Sequence, residues 1–381
     1  MDTKALSEFI SGTWEQQYGY KSFLPSSINL DWLMDDPVLQ QLLSEADRKL
    51  GELNTYSALV PDVDFFVKMY AAKEATQSSR IEGTQTEFTE AVMQEQDIAP
   101  ERRDDWEEVQ NYIKAMRFAV ESLEKLPLSS RLLRQTHGVL LRGVRGKHKQ
   151  PGDFRNSQNW IGGASLKDAV FIPPHHERVP ELMGDLEKFL HNENINTPAL
   201  IRAGIAHYQF ETIHPFLDGN GRLGRLLITL YLVSNQLLSK PSLYLSDFIN
   251  RNKEFYYDNL TAVRRKNDLT QWLRFFLVGI RETADDAVKT FRQILALVAD
   301  IENDRLPKMG KRSALGRQLL HILYQQPVMS PQKIAEALAV NPSTANRLID
   351  LFVQQGILYE RTGQKRNRLF EFREYLMLFE R

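Results

Sequence analysis

Cysteine is absent from all 381 positions, which rules out disulfides, thiolate metal sites and a cysteine nucleophile. Excess charge is lacking too: 48 Lys and Arg stand against 49 Asp and Glu, a net −1. No global attraction to nucleic acid or anionic membrane is therefore expected, and any basic surface must be local. No apolar run approaches the roughly 18 residues of a membrane-spanning helix. The opening MDTKALSEFISGTWEQQ is too polar for a secretory signal, so a soluble, cytoplasmic protein with no membrane contact is expected. Internal repeats and low-complexity tracts are also missing.

Alternating strand patterns are scarce, and amphipathic helical spacing fills most of the chain. The strand candidates are AVFIPP near Val170 and a C-terminal pair, GILYER and RLFEF. Residues 1 to 60 read as mixed and loop-rich. Helical segments then follow from Val63 to Thr283, interrupted over 145–180 by GVRGKHKQPGDF and NWIGGAS. The length suggests two or three domains.

One stretch concentrates chemistry: HPFLDGNGRLGR, His214 to Arg225. Its GNGRLG fits the dinucleotide-binding fingerprint, but that pattern requires a buried strand before it. The preceding TPALIRAGIAHYQFETI has helical spacing and is too long for a strand, so the reading fails on context. A P-loop fails as well, because no Lys-Ser or Lys-Thr follows.

Pro215 cannot continue the incoming helix, so His214 is expected at its end, facing a loop. Leu223, Leu226, Leu227, Leu230 and Tyr231 mark a second helix starting near Arg222. A glycine-rich loop entering a helix presents unpaired N–H groups and the positive end of the dipole, which makes an anion cradle. Arg222 and Arg225 share a face from which both could reach one polyphosphate. Asp218 suits a Mg²⁺ ligand, and His214 can serve as the base that deprotonates an attacking hydroxyl.

HPFLDGNGRLGR resembles the signature of the Fic family, H-x-F-x-(D/E)-G-N-G-R-x-x-R, at every fixed position. The resemblance implies a mainly α fold: a helical Fic core with a β-hairpin flap, plus a C-terminal winged helix-turn-helix domain. The expected divisions are an N-terminal helical region over 1–100, the core over 101–283, a linker helix over 284–306 and the winged helix over 307–381.

The implied activity is transfer of AMP from ATP, with Mg²⁺, to Ser, Thr or Tyr hydroxyls of an unknown target protein or of the chain itself. His214 would be the base, Phe216 the buried anchor and Asp218 the metal ligand. Gly219, Asn220 and Gly221 would line the anion hole, and Arg222 and Arg225 would bind phosphates, with Leu223 and Gly224 between them. Tyr256 and Tyr257 match a tyrosine pair that helps bind the nucleoside in relatives, although adjacent helical residues diverge and one of them suits the core. Arg264 stands where some relatives carry Asn. NWIGGASLKDAVFIPP resembles the family's target-docking flap.

Upstream, SSRIEGTQ closes a helical run, with Gly83 in the position of a C-terminal cap. Glu82 at the negative end of that helix is unfavourably placed and invites a cation elsewhere. Ser78, Glu82 and Gly83 match the family's inhibitory motif (S/T)-x-x-x-E-(G/N), which implies that Glu82 pairs with Arg225 and displaces the γ-phosphate. His175, His176 and Glu177 lack zinc spacing and read as solvated loop residues, and His207 reads as core.

Near the C-terminus, SPQKIAEALAV, the turn Asn341-Pro342 and STANRLIDLFVQQG follow helix-turn-helix order. Ala345, Leu348, Ile349, Phe352 and Val353 form the apolar face, and Ser343, Thr344, Asn346 and Arg347 the outward one. From Lys308 to Arg381, 12 Lys and Arg face 6 Asp and Glu, a local +6 that is compatible with DNA contact. Winged helices also serve as dimerisation modules, so DNA and homodimer partners both stay open. The alternative function is a DNA-binding regulator that uses the Fic core as a nucleotide sensor.

Overall fold

The structure, a computed structural model, describes residues 3–59, 63–143, 148–364 and 366–380. Part of the irregular GVRGKHKQPGDF region, residues 144–147, lies outside these, as does Lys365 of the RTGQKRN stretch.

The first 33 residues supply short strands: β1 (Thr3–Ala5) pairs in parallel with β4 (Asp31–Leu33), and β2 (Gly12–Gln16) pairs antiparallel with β3 (Lys21–Pro25). Helices follow: α1 (Pro37–Leu59), α2 (Val63–Ile81), α3 (Phe88–Ala91), α4 (Arg103–Ser122), α5 (Ser130–Leu140) and α6 (Val179–Leu190). Next come α7 (Ala199–Ile213), α8 (Asn220–Ser234), α9 (Ser246–Arg251), α10 (Lys253–Lys266) and α11 (Leu269–Asp300). The C-terminal part has α12 (Ser313–Gln325), β5 (Val328–Met329), α13 (Pro331–Ala337), α14 (Pro342–Gln354), β6 (Tyr359–Glu360), β7 (Phe370–Glu371) and α15 (Arg373–Glu380).

The helices begin where side chains can satisfy their first N–H groups. Asp36 Oδ1 accepts from the Leu39 amide at 2.6 Å beside Pro37, and Asp268 Oδ1 accepts from Gln271 at 3.0 Å. Ser330 and Asn341 cap α13 and α14, each followed by a proline at the first helical position. Helices α7 and α8 are buried nearly all round, and α1 packs along α11 on the outside.

Helix α11 runs unbroken from Leu269 to Asp300, so the stretch read as the start of a linker is the second half of a core helix. Ala284, Ala287, Val288, Phe291 and Ile294 are all buried in it.

In the C-terminal part, β7 lies between β5 and β6 in an antiparallel sheet behind the α13–α14 pair. Ala345, Leu348, Ile349 and Phe352 are buried as their spacing predicts. Val353 is not: it is 43 % exposed, because it falls one step past the stripe, beyond the reach of the sheet.

This winged part is seated on α2. Phe66 meets Tyr324 and Tyr375 at ring separations of 5.9 and 6.1 Å, and Phe379 of α15 meets Tyr70 at 5.3 Å and Phe88 at 5.9 Å. Phe379 is 1 % exposed. Phe379→Ala is expected to cost about 3–5 kcal/mol, read as a lower urea midpoint.

Candidate active site

The site is built on the α7–α8 turn. Helix α7 ends at His214, whose backbone is left-handed (φ 50°, ψ 61°) and whose amide still donates to Phe210 O at 2.9 Å. Pro215 then turns the chain, and α8 starts at Asn220, two residues earlier than the leucine spacing predicts. The difference arises because Asn220 is held by its side chain. Its Oδ1 accepts from the Phe216 amide and its Nδ2 donates to Phe216 O, both at 2.8 Å. The side-chain amide of Asn220 thus braces the loop, and only its backbone N–H stays at the helix end.

Phe216 is fully buried and stacks on His137 of α5, centroids 3.8 Å apart and planes 15° apart. The Gly152 amide donates to His137 Nδ1 at 2.9 Å, so Nε2 carries the proton that it donates to Asp218 O at 3.0 Å. Burial pushes the His137 imidazole down to about 4, which keeps it neutral in that role. No motif marks His137 in the sequence.

Asp218 stands at the mouth, its side chain 47 % exposed, with Oδ1 accepting from Gly219 N at 2.6 Å and lying 3.9 Å from Arg222 Nη2. Arg222 Nη1 is 3.6 Å from Glu108 of α4. These residues, with Glu82 and Asn111, line a cleft of 310 Å³ that opens beside the N-terminus of α8. Among the described residues, no three His, Asp or Glu converge on one point. A magnesium ion at Asp218 would therefore complete its shell with phosphate oxygens and water, its usual environment, and the half-exposed carboxylate fits that use.

Arg225 points the other way, into α2. Its Nη2 donates to Glu82 Oε1 at 2.7 Å and to Ser78 O at 2.9 Å, and its Nε donates to Ser78 Oγ at 2.9 Å. Ser78 and Glu82 thus clasp one guanidinium, and the chain leaves the helix at Gly83 with φ 110°. Burial pushes the Glu82 carboxyl up, but the Arg225 charge outweighs it and holds the group below the usual range.

Two close approaches require glycine on α8. A Cβ at Gly221 would run into the Glu82 carboxylate, and one at Gly224 would run into the carboxyl of Glu211 on α7. Leu223, between them, is wholly buried and faces the core.

Glu211 itself is buried, and its Oε1 has no hydrogen-bond partner. Burial raises its carboxyl to about 7 against the pull of Arg225, with Glu82 adding to the rise.

The tyrosine pair divides. Tyr256 is buried, and its hydroxyl bonds to His207 Nε2 at 2.8 Å; His207 Nδ1 donates to Gly224 O at 2.8 Å. Tyr257 is 40 % exposed on the same helix. Arg264 lies 3.9 Å over the Phe171 ring and donates to Glu211 O and Thr212 Oγ1, both at 3.2 Å. The flap closes with a single bridge, Ile161 to Phe171. His175 lies 3.6 Å from Glu177, an ion-pair geometry in a partly exposed loop.

The α7–α8 turn thus brings His214, the first amides of α8 and Arg222 onto one loop, with Arg225 turned inward onto α2. Family profiles place it: the Fic/DOC family N-terminal profile matches residues 40–121, the Fic/DOC family profile 127–232, and the MarR family profile 318–367. The chain thus resembles the Fic/DOC family over its N-terminal and central parts and the MarR family over its winged C-terminal part.

It is 30% identical over 187 residues to the protein adenylyltransferase Fic of Drosophila erecta, covering 48% of this chain and 34% of that protein. It is 27% identical over 239 residues to the same-named protein of Drosophila willistoni, covering 61% and 43%. The chain thus spans less than half the length of these curated relatives.

Among solved structures, a Fic family protein from Desulfovibrio desulfuricans superposes with a TM-score of 0.57 at 24% identity, covering 88% of this chain and 96% of that one. A Fic domain containing signaling protein from Bacteroides thetaiotaomicron gives 0.53 at 17%, covering 67% and 97%. At these identities the likeness speaks to the fold.

The state of Glu211 gives a stability prediction. The fold holds a proton that the unfolded chain releases near its ordinary value of 4.5, so stability falls as pH rises from there through 7. Glu211→Gln removes that loss. Its melting temperature is expected to exceed the parent's at pH 8 and to match it at pH 4; a constant difference across this range would refute the assignment.

Proposed function

We propose that this chain transfers AMP from ATP to a hydroxyl of a protein, itself included, and that Glu82 restrains the reaction from within. The observation that carries this reading is the clasp on Arg225: an intact Fic signature whose last arginine is held by a carboxylate of the same chain, 2.7 Å away.

In the proposed step, a hydroxyl presented along the flap attacks the α-phosphorus of ATP. Its proton passes to His214, a bond forms between the hydroxyl oxygen and phosphorus, and the bond to the β-phosphate oxygen breaks as pyrophosphate leaves. Burial, with the charges of Arg155 and Arg264, pushes the His214 imidazole down to about 3, so it is neutral at working pH and its ring can accept the proton. The helix-end amides of Gly219, Asn220 and Gly221 cradle phosphate oxygens, and Arg222 takes the charge of the departing pyrophosphate. Magnesium held at Asp218 supplies neutralisation of the phosphate charge when bound.

Glu82 occupies the guanidinium that the γ-phosphate needs, so ATP binds in a pose that does not react. The same carboxylate, at the edge of the cleft, suits alignment of a water for removal of AMP from a modified target. Of the tyrosines, Tyr257 is the one with surface to offer the nucleoside.

The test is labelled ATP with Mg²⁺. Glu82→Gly is expected to raise self-labelling about tenfold or more, since one lost charge-assisted contact of about 1.4 kcal/mol gives that factor. Adding Arg225→Ala to Glu82→Gly should return the chain toward inactivity. His214→Ala should abolish transfer and keep ATP binding, whereas Arg222→Ala should weaken binding and Asp218→Ala should remove the Mg²⁺ dependence. An unchanged rate in Glu82→Gly at saturating ATP would refute restraint by Glu82, and transfer by His214→Ala would refute the base.

A second reading, a DNA-binding regulator, is favoured by the outward face of α14, where Ser343 and Arg347 are exposed. Fluorescence anisotropy with duplex DNA across a salt series tests it; no salt-dependent binding would remove it.

A further inference from the structure

The flap closes with only one bridge, and a two-stranded ribbon that short cannot hold its own shape. Its feet, at Ser157 and Pro174, meet at one buried guanidinium, beside which Gln158 Nε2 donates to Pro173 O at 3.1 Å. Arg155 is 2 % exposed. Its Nη1 donates to Ser157 O at 3.2 Å and its Nη2 to Pro174 O at 2.6 Å, one foot each. The same guanidinium reaches the end of α7: Nε donates to His214 O at 2.9 Å and Nη2 to Ile213 O at 3.4 Å. Its backbone amide donates to Pro215 O at 2.9 Å. A second tether runs parallel, from Asn159 Nδ2 to Phe216 O at 2.9 Å.

We propose that Arg155 is a positioning residue that couples the flap to the catalytic histidine: one guanidinium staples both feet of the flap to the helix end that carries His214. The consequence for transfer rests on the adenylyl-transfer reading, whereas the staple itself stands on geometry.

Three arguments support it. The last carbonyls of a helix lack internal partners and lie at the negative end of its dipole, so a cation there meets an existing need. His214 is a non-glycine residue in left-handed backbone, a conformation that costs free energy unless its surroundings hold it, and Arg155 holds its carbonyl. A planar fork with five N–H donors can serve carbonyls on three segments at once, which an ammonium on a flexible stem cannot.

The charge also acts on the imidazole. Among the described residues no carboxylate pairs with Arg155, and its charge acts on His214. After burial it is the largest cause of the depressed His214 value, followed by Arg264, with Glu82 opposing both.

The test combines Arg155→Gln and Arg155→Lys in the Glu82→Gly background. The first readout is ¹⁵N-histidine NMR of the nucleotide-free protein, with the His214 signal assigned by its loss in His214→Ala. The second is hydrogen exchange of the Ile161, Val170 and Phe171 amides. The third is self-labelling with ATP against pH.

Arg155→Gln is expected to raise the His214 midpoint by about one unit or more and to speed flap exchange about tenfold. The pH–rate curve gains an acid limb, while the apparent KM for ATP stays within about twofold, because no phosphate ligand is lost. Arg155→Lys keeps the charge, so it should loosen the flap and leave the midpoint in place.

A folded Arg155→Gln with unmoved midpoint and flap exchange overturns the proposal. If that variant does not fold, Arg155→Lys decides, and unchanged flap exchange in it overturns the staple. A parent that takes up no label refutes the transfer reading alone, since the NMR and exchange readouts need no activity.

Discussion

A guanidinium whose side chain is only 1 % exposed must find acceptors for its N–H groups, and Arg225 finds them in Ser78 and the Glu82 carboxylate. Everything around it answers that demand. Helix α2 must lie close enough for Ser78 to accept twice and Glu82 once, and Gly221 must be bare for the Glu82 carboxylate to pass. The position of α2 is secured further along by Glu74, fully buried, which takes the Ser246 hydroxyl at 2.5 Å and lies 3.2 Å from the Tyr112 hydroxyl. Tyr112 in turn donates to the Arg222 carbonyl at 3.0 Å, which ties α4 to the first turn of α8. The neighbourhood is thus organised around one buried charge.

The second acid in that neighbourhood behaves oppositely for a physical reason. Glu82 keeps its charge because it touches Arg225 from the cleft side, where water still reaches it. Glu211 approaches the same helix from inside, against Gly224, and has neither water nor a hydrogen-bond partner for Oε1. Two carboxylates that face glycines one turn apart on α8 are therefore pushed in opposite directions, Glu82 down and Glu211 up to about 7.

Much of the site is legible in the sequence because a short motif fixes both residue type and spacing. His214, Asp218 and Arg222 cluster at the α7–α8 turn for that reason, and the awkward helix-end position of Glu82 already asks for a cation. The pieces that escape are those with no periodic or motif signature. Arg155 and His137 are single polar residues in ordinary surroundings, and only the fold brings them beneath the loop from 59 and 77 residues away in the chain. Asn220 is legible as a motif member, but its bracing of Phe216 is a side-chain geometry that spacing cannot express. The N-terminal hairpin is missed because its strands are five residues each, with Trp14, Phe23 and Leu24 as their large apolar markers. The continuity of 284–300, read as a linker helix, with the rest of α11 is not legible, because an amphipathic helix reads alike whether its stripe meets a domain core or a neighbouring domain.

The aromatic seam between α2 and the winged part means that the chain cannot be cut into two independent pieces. Phe66, Tyr70 and Phe88 belong by sequence to the Fic half, yet they spend their apolar surface on Tyr324, Tyr375 and Phe379. A fragment ending before α12 would present those rings to water, Phe66 and Tyr70 along the helix that leads into Glu82 and Phe88 on the short helix after it. The two halves share one structural member, and its solubility in isolation is forfeited to the joint.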